Sequence, residues 1–173
     1  MRQGVVRVAA ADAARDALRG TLESPNPGVR KSAAEALGDL GDAAAVPDLA
    51  ALAGREPESS VRVGVIMALG ILGDPRVAPD LEPLLKDRDE YPRLAAGCAL
   101  VLMTGHIDTG VLTKGLRSRT PWERFAVAMA LVDLGTPEAL DLLAGLLNDR
   151  VPALRRLAAG AVVRRMERQA AAE

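Results

Sequence analysis

The sequence predicts an all-α fold, a right-handed α-solenoid of stacked antiparallel helix pairs with a period of 31–32 residues. Three observations predict it. The phrase VRKSAAEALGDLGD at 29–42 returns as VRVGVIMALGILGD at 61–74. Arginine recurs in one register as Arg30, Arg62, Arg93, Arg124 and Arg155, at steps of 32, 31, 31 and 31 residues. Six and seven residues after each arginine stand an alanine (Ala36, Ala68, Ala99, Ala130, Ala161) and an aliphatic (Leu37, Leu69, Leu100, Leu131, Val162). A period of this length is the signature of a repeat array, in which each unit buries its apolar face only by stacking on its neighbours.

Each copy reads as two helices. In the first, apolar residues at 29, 33, 36, 37 and 40 follow helical spacing and not the alternation of a strand. A glycine then closes the helix, because it accepts a left-handed cap. The turns are Gly41-Asp42, Gly73-Asp74, a looser Gly105-His106-Ile107-Asp108 and Gly135-Thr136. The Asp or Thr after the glycine is placed to cap the next helix. Second helices carry Leu49 and Leu52, then Leu81, Leu84 and Leu85, then Leu112 and Leu116, then Leu143, Leu146 and Leu147. Pro47 and Pro79 sit early in their helices, where proline is tolerated; Pro83 is extra and is expected to distort its helix. Leu18 and Leu22 mark the second helix of a leading partial copy. The expected organisation is one domain over 1–173: a partial copy at 1–26, copies at 27–58, 59–89, 90–120 and 121–150, and a C-terminal capping helix at 151–168.

Composition agrees. The chain is 49% apolar and 26% charged, with Phe, Tyr and Trp once each. Small aliphatic side chains suit closely packed helices, and Ala and Leu are strong helix formers. A net charge of -1 removes the global field expected of a dedicated nucleic-acid binder. A single cysteine, Cys98, excludes an internal disulfide framework, and a single histidine, His106, excludes any two-histidine metal set. No uncharged run approaches the ~18–20 residues of a spanning helix, so the expectation is a cytoplasmic protein with no membrane association and no cofactor.

The pattern V-R-x-x-A-x-x-A-L-G-x-L-G-D, followed by AVPDL at 45–49 or VAPDL at 77–81, resembles the HEAT repeat, and most of all its short bacterial form, the PBS-lyase HEAT-like repeat. The resemblance covers about residues 5 to 166. It implies a scaffold or protein-binding role, and it implies that the arginine column pairs with nearby acids, for which Asp42, Asp74, Asp87 and Asp149 are the candidates. Three enzymes of this family offer comparisons. Deoxyhypusine hydroxylase needs several His-Glu pairs, which one histidine cannot supply. Phycobilin lyase subunits share the repeat columns. HEAT-like alkylpurine DNA glycosylases use a basic groove with aromatics and a catalytic Asp, for which this chain has one Trp and near-neutral charge.

If the repeated columns are scaffold, function lies where copies differ, because a fold by itself names no activity. Tyr91 and Trp122 stand two residues before Arg93 and Arg124, in a column that elsewhere holds Gly28, Ser60 and Ala153. Stacking predicts them side by side, and exposed Tyr and Trp make good interface anchors. Lys114, Arg117 and Arg119 frame Trp122. These five residues form the predicted protein-binding site, against the plainer reading that both rings cover helix ends. The last copy is basic: residues 150–168 hold six arginines and Glu167 as their one acid. A polar end cap explains this; the alternative is a nucleic-acid patch through Arg155, Arg156, Arg164, Arg165 and Arg168, with salt-dependent binding. Outward positions expected on the second helices (Asp48, Ala51, Asp80, Glu82, Lys114, Arg117, Asp141 and Ala144) mix charges and favour a protein partner. His106 reads as a loop residue without the partners catalysis requires, and Cys98 as inert packing. The expected function is a non-catalytic interaction scaffold; the alternative is a regulatory or lyase-type subunit of an enzyme complex.

Overall fold

A computed structural model describes residues 2–105 and 109–170, with side chains for 11–105, 110–167 and 170. The turn holding His106 therefore lies outside the described residues. The α-helices are α1 (Arg2–Gly20), α2 (Pro27–Asp39), α3 (Val46–Arg55), α4 (Ser59–Leu72), α5 (Ala78–Leu81), α6 (Glu90–Thr104), α7 (Thr109–Leu116), α8 (Pro121–Leu134), α9 (Pro137–Ala144) and α10 (Pro152–Ala170). No strand occurs among the described residues. Helices α2, α4, α6, α8 and α10 pack in succession, and α3, α5, α7 and α9 pack against them. The architecture is an α-solenoid.

The periodic columns are what the stack buries. Leu37, Leu69 and Leu131 are fully buried, and Leu100 nearly so. Ala68, Ala99, Ala130 and Ala161 lie inside, while Ala36 is half-buried. Two apolar positions of the first copy differ from expectation: Val29 and Leu40 are exposed. Small residues set the spacing between helices. A Cβ on Gly38 would meet Ala68 Cα at 3.0 Å, and one on Gly70 would meet Ala99 Cα at 3.2 Å. The A-L-G phrase therefore brings α2 to α4, and α4 to α6, at near-backbone contact.

α6 is shared between two cores. Ala95, Ala96, Ala99, Leu100 and Met103 join the core built on α2 to α5, whereas Leu94, Cys98 and Val101 join the one built on α7 to α10. A helix with apolar residues all round is a buried helix, and α6 has neighbours on both faces for that reason.

The turns follow their chemistry. Gly41, Gly73, Gly105 and Gly135 all have positive φ, from 62° to 68°, a region costly for residues with a Cβ. Thr136 Oγ1 accepts from Ala139 N at 3.3 Å and Asp74 Oδ1 from Arg76 N at 3.0 Å. Asp42 differs: its side chain caps nothing and takes the Arg19 guanidinium instead, at 3.2 Å. Pro83 acts as its ring dictates. The α-helix stops at Leu81 and continues as a 3-10 helix over Glu82–Lys86, since proline has no N–H to return to the carbonyl four residues back.

Candidate functional site

The arginine column builds a ladder along the loops that join the copies. Every arginine turns Nη1 to the carbonyl six residues before it: Arg30 to Ser24 O at 2.8 Å, Arg62 to Glu56 O at 2.9 Å, Arg93 to Asp87 O at 2.7 Å, Arg124 to Ser118 O at 2.6 Å and Arg155 to Asp149 O at 2.7 Å. In Arg30, Arg62 and Arg124 the opposite edge of the guanidinium, Nε and Nη2, reaches an acid in the next loop. Arg30 meets both oxygens of Glu56 at 2.7 Å. Arg124 meets Asp149 at 2.8 and 3.0 Å. Arg62 lies between Asp87 and Asp89; its Nη2 donates to Asp89 Oδ2 at 2.8 Å and to Asp87 Oδ1 at 3.2 Å, while its Nε makes no hydrogen bond and is ion-paired with Asp87 Oδ2 at 3.0 Å. Such two-point forks are the strong form of arginine–carboxylate pairing.

Of the expected acids, Asp87 and Asp149 belong to the ladder. Asp42 and Asp74 do not: they bind Arg19 and Arg76. The remaining ladder acids are Asp89 and Glu56, the latter in GREPESS, where a search among turn aspartates overlooks it. The column of loop positions is 56, 87, 118 and 149, at steps of 31 residues, with an acid at 56, 87 and 149 and serine at 118. The ladder also shifts its acids. Hydrogen bonds from Arg30 hold the Glu56 carboxyl below its usual range, and those from Arg124 do the same for Asp149. Outside the ladder, Arg76 draws Asp74 down to about 2.

Tyr91 is the second residue of α6 and Trp122 the second of α8. Their rings stack, with centroids 5.9 Å apart and planes at 27°. Both stand out from the surface, Tyr91 at 45% and Trp122 at 50% exposure. Offset stacking of this kind is the preferred aromatic geometry. α8 extends the apolar surface: Phe125 (41% exposed) and Met129 (38%) follow Trp122 at i+3 and i+7 on one helix face. Sequence reasoning missed both, because they occupy positions of a first helix that looked like packing.

Lys114, Arg117 and Arg119 are exposed and line one groove of about 760 Å³ together with Glu90, Gly110, Thr113, Ser118 and Thr120. Glu90 precedes Tyr91, so the groove adjoins the aromatic pair in sequence. Glu90 and Lys114 also wall a small cavity of about 30 Å³ shared with Arg93 and Glu123. Glu123 is 2% exposed, and no hydrogen bond or ion pair holds its carboxyl among the described residues. It stands in the column that elsewhere holds Val29, Val61, Pro92 and Leu154.

On α10, Arg155, Arg156 and Arg164 are exposed and Arg165 is half-buried, while the Arg168 side chain lies outside the described residues. Arg155 is committed through Nη1 to Asp149 O and Arg150 O. Burial pushes the Cys98 thiol up to about 12, away from reactivity. Among the described residues no three His, Cys, Asp or Glu side chains gather to hold a metal, and no helix is long and apolar enough to cross a membrane.

No curated protein matches the sequence. Among solved structures, a chain of the CpcE–CpcF complex of phycocyanin lyase from Nostoc sp. PCC7120 matches with a TM-score of 0.63 and 26% identity over 86% of this chain. This chain spans 63% of that one's length. An engineered protein matches with a TM-score of 0.56 and 21% identity over 85% of this chain and 77% of its own, a likeness of fold alone. The family model for HEAT repeats matches residues 2–63, 16–101 and 109–172. Those spans carry the turn glycines Gly41, Gly73 and Gly135, the stacked leucines and the arginine ladder alike, and the chain belongs to the HEAT repeat family.

Proposed function

We propose that this chain is a non-catalytic scaffold that docks a protein partner on the edge formed by Tyr91 and Trp122, with Lys114, Arg117 and Arg119 as its polar rim. The exposed ring stack carries the reading. Two rings stacked on each other and half exposed to water keep apolar area available at low conformational cost, as interface anchors do. Phe125 and Met129 continue that surface down α8, and a basic groove adjoins it, the arrangement of an apolar centre and a charged rim.

The second reading is a subunit of an enzyme complex of the phycobilin-lyase type. It is favoured by the similarity to a chain of the CpcE–CpcF complex, an assembly of two proteins. Both readings need a protein partner. Nucleic-acid binding through the α10 arginines ranks below them, since that charge is local and Arg155 is already engaged.

Capture of partners from source lysate, repeated with Trp122→Ala and with Arg156→Ala/Arg164→Ala, separates docking on the aromatic edge from binding through the α10 arginines. The scaffold reading expects Trp122→Ala to lose the captured protein and the arginine variant to keep it. Unchanged capture by a folded Trp122→Ala protein refutes the edge.

A further inference from the structure

We infer that Arg93 is an open rung of the ladder, a carboxylate fork that the docked partner fills with an acidic side chain of its own. This rests on the reading of the Tyr91–Trp122 edge as a protein-docking surface, and it names the chemistry of the partner there.

Four loop positions are equivalent: Glu56, Asp87, Ser118 and Asp149. All four make the same local bond, accepting from the backbone N–H two residues on, at 3.0, 2.8, 3.0 and 2.8 Å respectively. The loop at Ser118 is thus built like the others. Its hydroxyl performs the local task and brings no charge to the arginine. Arg93 is also set like the others, with Nη1 on Asp87 O at 2.7 Å and on Arg88 O at 3.0 Å. In Arg30, Arg62 and Arg124 the remaining edge of the guanidinium holds an acid. In Arg93 that edge has no acid among the described residues. A half-buried guanidinium held on one side and unpaired on the other is a fork prepared for a planar carboxylate.

Charge around it selects the same occupant. Ser118 lies in the groove walled by Lys114, Arg117 and Arg119, with Glu90 the one acid lining it. Arg93 shares Glu90 and Lys114 with that groove through the adjoining small cavity. Three cations beside the unpaired arginine favour an acidic peptide over a basic or neutral one. The built-in rival is Glu123, which lines the same small cavity. It makes no ion pair with Arg93, and its own carboxyl is unpartnered, so it lowers the net positive charge without closing the fork. Arg155, the other arginine of the column with no acid on that edge, stands on α10, and no loop follows that helix among the described residues.

The test is a titration of isotope-labelled protein with a short peptide of alternating leucine and glutamate, against its leucine–glutamine counterpart, following the Arg93 Nε–H and Trp122 indole resonances. The glutamate peptide is expected to shift the Arg93 resonance saturably and the glutamine peptide to leave it in place. Ser118→Asp supplies the missing acid in cis. It is expected to weaken glutamate-peptide binding about tenfold or more, the loss of one charge-assisted fork, and to raise the midpoint of thermal unfolding. Glu123→Gln is expected to tighten peptide binding. Equal response of Arg93 to both peptides, unchanged binding by Ser118→Asp, or a larger Arg93 shift with a single-stranded oligonucleotide than with the glutamate peptide overturns the inference. If Trp122 shifts with both peptides while Arg93 shifts with neither, the docking edge stands and the open rung falls. If lysate capture survives Trp122→Ala, the edge itself falls.

Discussion

Replacing Asp149 by Asn tests the ladder at its best-formed rung. Asp149 gives Oδ2 to Arg124 Nε at 2.8 Å and Oδ1 to Arg124 Nη2 at 3.0 Å, while Oδ1 also accepts from Val151 N at 2.8 Å. Both side chains are 10% exposed. Asparagine keeps the size and one oxygen, enough for the loop bond, but its NH2 faces a guanidinium and its charge is gone. Arg124 is then left nearly buried with only the Ser118 carbonyl. Breaking one side of a buried pair costs about 3–5 kcal/mol, and residual solvent contact places this site at about 3. For a chain of this size that is a fall of about 6–12 °C in Tm. The cost must depend on pH. Arg124 holds the Asp149 carboxyl below its ordinary value of 3.8, so its stabilisation is complete above that value and is lost as pH falls through the lower folded value. Urea unfolding followed by circular dichroism at neutral pH, and again in acid below the folded value, reads both effects. The gap between wild type and Asp149→Asn should be wide at neutral pH and close in acid. Equal midpoints at neutral pH, or a gap that persists unchanged in acid, refutes the ladder as a source of stability. Ser118→Ala is the control in the same column: it forfeits one neutral hydrogen bond, about 1 kcal/mol.

Leu69 is fully buried in the core between α2 and α6, so Leu69→Ala is expected to cost about 2–5 kcal/mol in urea melts; a neutral result contradicts the register of the stack. Cys98 is expected to react with a thiol reagent only after denaturant is added, because its thiol is buried and its pKa raised to about 12. Immediate labelling of the native protein refutes its place in the core.

Residues that serve the fold were the more legible ones, because a repeat states the same solution several times. Leu37, Leu69 and Leu131 share a column and share full burial. The glycine turns were legible for the same reason, and Pro83 through its covalent geometry. The acid of each rung was harder to read. An arginine near the start of a helix and its partner in the next loop lie 25 to 27 residues apart, and Asp42 and Asp74 stood within the repeated phrase itself. Only folding shows that Asp42 is spent on Arg19, and Glu56 on Arg30. At the candidate site, Tyr91 and Trp122 were visible as departures from one column, and Lys114, Arg117 and Arg119 as a local run of charge. Phe125, Met129 and Glu123 were not, since apolar and helical positions carry no sign of which way they face until neighbours are in place.

The sequence alone determined the period, the helix pairs and the identity of the stacked columns, because a unit of this length must bury the same face in every copy to be stable at all. It also determined that chemistry based on several histidines or cysteines is absent from this chain. The tertiary structure decided which carboxylate meets which guanidinium, which apolar side chains remain in water, and that Ser118 leaves Arg93 without the acid its neighbours have. Those matters depend on distances of a few ångströms between residues far apart in the chain. A hydrogen bond is made or lost over such distances, and no spacing along the sequence encodes them.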